Sequence, residues 1–90
     1  MAYRTEIEQE VLELTTTPHK LVLHNDDVNT FDWVIETLIK VCKHTQEQAE
    51  QCAYIIHYKG KYAVKQGTYE TLKQMKDAIT ERGINATIDK

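Results

Sequence analysis

The chain has 90 residues, of which 28% are charged and 41% hydrophobic, and this balance is typical of one soluble globular domain. Its formal net charge of −3 disfavours a nucleic-acid partner, because no excess of Lys and Arg is present to displace counterions from phosphates. No apolar run approaches the roughly 18 residues of a membrane-spanning helix, and the N-terminus lacks the basic-then-apolar order of a signal peptide. We therefore expect a cytoplasmic domain with neither a nucleic-acid nor a membrane partner.

The first 18 residues are predicted to form a flexible N-terminal extension, because three threonines followed by Pro18 would break a helix that begins earlier. A short packed helix is the alternative for this segment. A folded core domain is predicted over residues 19–90. It opens with a strand at residues 20–24, which are apolar and β-branched enough for a strand and stop where an acidic segment begins.

Apolar residues that recur at helical spacing predict the first two helices. The first begins near Thr30, with Asn29 as its predicted N-cap. Its apolar face consists of Phe31, Val34, Ile35, Leu38, Val41 and Cys42. The second helix opens with a capping box formed by Thr45 and Gln48, and Gly60 ends it.

The rest of the chain is predicted to form a strand, a third helix and a last strand. Alternation at residues 61–65 indicates the second strand, and a turn and cap at residues 67–68 lead into a helix that closes at residues 82–83. The last strand is indicated by the alternating positions Ile84, Ala86 and Ile88. The order β-α-α-β-α-β predicts an α+β domain with its helices on one face of a sheet.

Three acceptor-rich residues, Asn25, Asp26 and Asp27, follow the first strand directly. Two adjacent carboxylates repel each other, so a positive group is expected near them. An ammonium group would be satisfied by an amide oxygen, a carboxylate and a neutral imidazole nitrogen, and His57 on the second helix could supply the last. If an apolar hollow adjoins these acceptors, the ligand is a backbone α-amine that carries a hydrophobic side chain.

The same residues allow other interpretations. Asn and Asp favour turns and caps, so this segment could be a strand-to-helix turn without a ligand, and His57 a half-exposed helix residue. An enzyme that uses the acidic turn with His24 or His57 is disfavoured, because no catalytic motif and no phosphate-binding Gly loop is present. Cys42 and Cys52 belong to no CxxC or CxxH pair, which disfavours a zinc site and predicts two buried reduced thiols. We therefore expect no metal and no cofactor.

Two segments at their spacing, NDD after the first strand and HYKGK at the end of the second helix, resemble the ClpS adaptor family. The resemblance covers about residues 20–89 and includes the amphipathic helix FDWVIETLIKV and the turn at residues 67–70. It implies a compact sandwich of the α+β class, in which a three-stranded antiparallel sheet packs on the helices. This fold is related to the C-terminal domain of the ribosomal stalk protein.

The resemblance also implies a function. ClpS adaptors bind the free α-amine and the bulky side chain of an N-terminal Leu, Phe, Tyr or Trp. They deliver such N-degron proteins to the N-domain of a ClpA- or ClpC-like AAA+ ATPase, which feeds the ClpP protease. The amine-binding positions are implied at Asn25, Asp26, Asp27 and His57, and Glu70 is implied to face the ATPase. The implied pocket positions are Leu23, Asn29, Thr30, Phe31, Val34, Ala53, Ile56 and Ile84.

The chain departs from the family at two pocket positions. Phe31 stands where the family commonly has a Met at the pocket entrance, and Ala53 replaces a second common Met. We expect the two changes to compensate in volume, with a larger side chain at the pocket entrance and a smaller one inside the pocket. The resemblance further implies a non-enzymatic, monomeric bacterial adaptor whose N-terminal extension engages the ATPase. The alternative is an interaction module of the same fold that does not bind N-terminal residues.

Overall fold

The computed structural model describes residues 18–90, so the extension predicted for residues 1–18 lies, except for Pro18, outside the described residues. Within residues 18–90 the six elements are β1 (His19–His24), α1 (Phe31–Cys42), α2 (Gln46–Lys59), β2 (Lys61–Gly67), α3 (Tyr69–Glu81) and β3 (Ala86–Asp89). Their order is the one that the sequence predicts. Among residues 18–90, no helix is both long and apolar enough to span a bilayer.

The three strands form one antiparallel sheet in the order β2-β1-β3, which confirms the predicted α+β fold. The central strand places Leu21 and Leu23 in the core, where both are fully buried. At its end, His24 pairs with Lys61 at the start of β2. The acidic turn that follows β1 and the end of α2 that precedes β2 therefore lie at the same end of the sheet, where β1 finishes and β2 begins.

A threonine caps each helix at its N-terminus, because its side-chain oxygen can accept a hydrogen bond from a backbone N–H three residues later. The three caps are Thr30, Thr45 and Thr68. The predicted capping box of α2 is confirmed, and the helix ends at Gly60, whose φ of 89° suits glycine. The prediction that Asn29 caps α1 is wrong, because its side chain is engaged elsewhere and Thr30 takes that position.

Trp33 and Arg82 tie α1 to the end of α3. The indole Nε1 of Trp33 donates a hydrogen bond to the carbonyl oxygen of Arg82 at 2.9 Å. The guanidinium carbon of Arg82 lies 4.1 Å from the centroid of the Trp33 ring, and its Nε donates to Oγ1 of the buried Thr37 at 2.8 Å. These contacts fix the loop at residues 83–85. Ile84, which was predicted in the last strand, lies in this loop instead. Its N–H donates a hydrogen bond to the carbonyl oxygen of Ile79 at the end of α3.

The two cysteines are free thiols, but only one of them is buried as predicted. Burial raises the pKa of the Cys42 thiol to about 11. Cys52 is half-buried, because it faces a shallow cleft where its Sγ lies 4.0 Å from Nδ1 of His44. Within residues 18–90, no group of three metal-ligating side chains comes together.

Candidate ligand-binding site

A cleft of about 380 Å³ opens between the acidic turn, the start of α1 and the second half of α2. It is lined by Asn25, Asp26, Asp27, Asn29, Thr30, Phe31, Val34, Ala53, Ile56 and His57. A second cavity of about 20 Å³ shares part of this lining and adds Leu23, His24 and Ile84. All predicted amine-binding and pocket residues therefore meet at one place. Glu70 does not line it, because it lies in the first turn of α3.

The cleft has a polar mouth and an apolar floor. The side chains of Asn25, Asp27 and His57 are exposed at the mouth. The floor is buried: Ala53 and Ile56 on α2 are each 3% exposed, and Leu23 and Ile84 are almost fully enclosed. Neither Asn25 nor Asp27 uses its side chain in a hydrogen bond to another described residue, so their acceptor oxygens are available at the mouth.

Asp26 holds the acidic turn together. Its Oδ1 accepts hydrogen bonds from the backbone N–H groups of Val28 and Asn29 at 2.8 and 2.7 Å, and its Oδ2 accepts one from Nδ2 of Asn29 at 2.6 Å. The backbone hydrogen bond from Asn29 is the main reason why the pKa of Asp26 lies below its ordinary value of 3.8. Both carboxylate oxygens are thus already bonded within the turn. The geometry favours Asp26 as a positioning residue over the direct amine contact that the resemblance implies.

Two further hydrogen bonds join the turn to distant parts of the chain. Nδ2 of Asn29 donates to the carbonyl oxygen of Gly83 at 2.9 Å, which links the turn to the loop that carries Ile84. The N–H of Asn25 donates to the carbonyl oxygen of Gly60 at 2.8 Å, which links the turn to the end of α2. Because Gly60 follows His57 by three residues, this second bond places the Asn25 and His57 side chains at the same cleft.

Four aromatic rings form a closed cluster at the mouth, which we call the aromatic rim: Phe31, Tyr54, His57 and Tyr58. Phe31 meets His57 and Tyr54 edge-to-face, with ring centroids 6.0 and 6.4 Å apart. Tyr58 completes the cluster, 5.5 Å from His57 and 4.5 Å from Tyr54. Tyr54 and Tyr58 were not among the predicted site residues. Tyr54 precedes His57 by three residues and Tyr58 by four, and this helical spacing could have placed both beside Tyr54 on α2.

These features together define a small α+β domain with a two-part cleft: acceptor atoms at the mouth suit a cationic group, and the buried floor suits an apolar one. Residues 15–87 match the family described as ATP-dependent Clp protease adaptor protein ClpS. Because this match spans most of the 90 residues, the chain belongs to the ClpS family. The family resemblance read from the NDD and HYKGK segments is thereby confirmed.

Curated relatives cover most or about half of this chain. The ClpS adapter of Acetivibrio thermocellus is 38% identical over 64 residues, which are 71% of this chain and 64% of that protein. The ClpS adapter of Campylobacter jejuni is 43% identical over 42 residues, or 47% of this chain and 44% of that protein. The E3 ubiquitin-protein ligase UBR1 of Drosophila melanogaster is 36% identical over 66 residues, which are 73% of this chain but 4% of that protein. The chain thus spans less than two thirds of each of these relatives.

A solved structure shares the fold. The structure of Agrobacterium tumefaciens ClpS2 bound to L-phenylalaninamide superimposes with a TM-score of 0.77 at 18% sequence identity. The match covers 80% of this chain and 94% of that one. At this identity the likeness establishes the architecture alone.

Proposed function

We propose that this domain is a non-enzymatic adaptor that captures a protein by its N-terminal residue and delivers it to a Clp-family AAA+ ATPase for degradation. The observation that carries the proposal is the cleft, in which free acceptors of Asn25, Asp27 and His57 stand over an apolar floor. The related fold of ClpS2 is bound to L-phenylalaninamide, a compound with a free α-amine and an aromatic side chain. The proposed ligands are proteins that begin with Leu, Phe, Tyr or Trp.

The α-ammonium group has three N–H donors, and the mouth offers three acceptors of different kinds. The amide oxygen of Asn25, the carboxylate of Asp27 and a ring nitrogen of His57 would each accept one hydrogen bond. Asp27 also supplies the charge that an ammonium needs when it leaves water. The first side chain then enters the cleft towards Val34, Ala53 and Ile56.

Magnitudes show why both parts of the ligand are needed. Burying a Leu or Phe side chain contributes about 1.5–3 kcal/mol. Each hydrogen bond to a charged group contributes about 1.5–3 kcal/mol, and association itself costs several kcal/mol. A micromolar complex requires about 8 kcal/mol after this association cost is subtracted, which neither the amine nor the side chain supplies alone. Internal leucines, which lack a free amine, would therefore be ignored.

The test is a pair of fluorescent peptides that begin with Leu and differ only in acetylation of the N-terminus. We expect the free peptide to bind with a Kd in the micromolar range and the acetylated peptide to bind at least about 100-fold more weakly. Acetylation removes the positive charge and two donors, and it leaves the Asp27 carboxylate without a partner. Equal affinity for the two peptides, or no binding of either, would reject recognition of the amine and leave an interaction module of the same fold.

Pocket size is tested by Ala53→Met, which restores the larger side chain common in the family. Ala53 is 3% exposed on the cleft floor, so a Met there must project into the 380 Å³ space. We expect Trp-initiated peptides to lose about 10-fold in affinity and Leu-initiated peptides to change by less than about threefold, because a cleft narrowed by Met excludes the larger ring first. The measurement is fluorescence anisotropy with both peptides. Equal losses for both would contradict a role for Ala53 in size selection.

Delivery involves surfaces other than the cleft. Glu70 lies exposed in the first turn of α3, and we propose it as a contact for the N-domain of a ClpA- or ClpC-like ATPase. The N-terminal extension, which lies outside the described residues, is proposed to engage the same ATPase. A cytoplasmic location and a monomeric state belong to this proposal.

A further inference from the structure

The aromatic rim carries an inference that rests on the proposed function and goes beyond it. Its three carbocyclic rings are unusually open to solvent for large apolar side chains: Phe31 is 39% exposed, Tyr54 56% and Tyr58 68%. They also touch one another rather than standing singly. Scattered exposed aromatics are ordinary, whereas a contiguous exposed cluster marks a contact surface.

We propose that the aromatic rim is a second subsite, which selects an aromatic side chain at the second position of the bound N-terminus. The rim is continuous with the first site, because Phe31 and His57 belong to both: they line the cleft and contact the two tyrosines outside it. His57 is also the proposed amine contact. A ligand anchored there has its second Cα 3.8 Å from the first, which keeps its second side chain within reach of these rings.

The chemistry of the rim favours an aromatic ring over other side chains. Edge-to-face and offset contacts are already the geometry of the cluster, with interplanar angles of 80° between Phe31 and Tyr54 and 40° between Tyr54 and Tyr58. A further ring can extend this arrangement, and its contacts contribute beyond simple area burial. An alanine has no ring to add to this arrangement. An acidic side chain would face the carboxylates of Asp26 and Asp27 at the same mouth.

The surface beyond the rim supports the same choice of ligand. An open, mainly apolar groove lies on α2 next to Tyr54 and is lined by Glu50, Gln51, Tyr54 and Ile55. A ring that covers Tyr54 would shield part of this apolar area from water. The occupant to which the proposal commits is the second residue of the same chain whose first residue fills the cleft.

The experiment uses four free-amine peptides that share an N-terminal Leu and carry Phe, Ala, Lys or Asp at the second position. We expect the Leu-Phe peptide to bind about fivefold more tightly than Leu-Ala, which corresponds to about 1 kcal/mol. In the double variant Tyr54→Ala, Tyr58→Ala, this ratio should fall to about one, while affinity for Leu-Ala stays within about twofold of the unchanged protein. Both tyrosines are exposed, so the variant should fold, and circular dichroism checks this.

The matched control is Tyr62→Ala, which removes a tyrosine that is 39% exposed on β2, outside the rim, and should keep the fivefold ratio. Equal affinity for Leu-Phe and Leu-Ala, or a ratio that survives in the double variant, overturns the second subsite and leaves the first intact. Tightest binding of Leu-Lys would replace the aromatic ligand by a cationic one and also overturns it. If Leu-Ala shows no amine-dependent binding, the proposed function fails, and this inference fails with it.

Discussion

The Asp27→Asn variant is expected to lose about 100-fold in affinity for a Leu-initiated peptide, while its free energy of unfolding changes little. Asp27 is exposed at the mouth of the cleft and makes no side-chain hydrogen bond to another described residue. The substitution keeps a side chain of the same size but removes the negative charge opposite the ammonium. A loss of this size corresponds to about 2.7 kcal/mol, within the range for a hydrogen bond to a charged group.

Asp32→Asn is the matched control for this variant. Asp32 is also an exposed aspartate, five residues further on in the first turn of α1, and it does not line the cleft. It changes the net charge by the same amount, so it reports the long-range electrostatic effect alone. We expect it to weaken binding by less than about twofold, as measured by anisotropy at physiological salt. Similar losses in both variants would mean that Asp27 acts through the general field rather than by contact.

The Asp26→Ala variant is expected to lose both stability and binding, because Asp26 shapes the turn on which Asn25 and Asp27 stand. It removes three hydrogen bonds, two to backbone N–H groups and one to the side chain of Asn29. We expect a decrease of about 1–3 kcal/mol in the free energy of unfolding, measured by urea denaturation, and a loss of at least about 30-fold in peptide affinity. The second effect follows because Asn29 would no longer be held between the turn and Gly83.

The opposite pattern would overturn this role. If Asp26→Asn abolished peptide binding but left the free energy of unfolding unchanged, Asp26 would be a direct amine contact.

Acidification gives an independent check of the role of Asp26. The pKa of Asp26 is depressed in the folded state, so its carboxylate adds stability above its ordinary pKa of 3.8, and this contribution disappears as the pH falls through the folded-state pKa. The unchanged protein should lose this increment below about pH 4, and Asp26→Ala should not.

The sequence predicted the features that depend on residues close together in the chain. The capping box at Thr45 and Gln48 and the helix end at Gly60 are encoded within a few residues, and each is confirmed. The assembly of the cleft was predicted through family resemblance, because the NDD and HYKGK segments are diagnostic only as a pair. Periodicity alone left the acidic segment open to interpretation as a simple turn.

Features that depend on contacts between distant residues were misassigned or missed. Asn29 looked like an N-cap because nothing local indicates that it bonds to Gly83, 54 residues away. Ile84 fitted the alternation of a strand, but the Trp33–Arg82 contact holds the end of α3 where this residue must turn inward. The tyrosine spacing on α2 was readable, whereas its continuation through Phe31 required the packing of α1 against α2.

The hydrogen bonds that join the acidic turn to Gly60 and Gly83 have a thermodynamic consequence. The cleft exists only when segments from both halves of the core are docked together, so the unfolded chain has no equivalent site. A ligand that binds only the folded chain then raises the free energy of unfolding by about 2.7 kcal/mol when present at 100 times its Kd. Thermal denaturation could thus rank unlabelled amino-acid amides by the N-terminal residue that each one mimics.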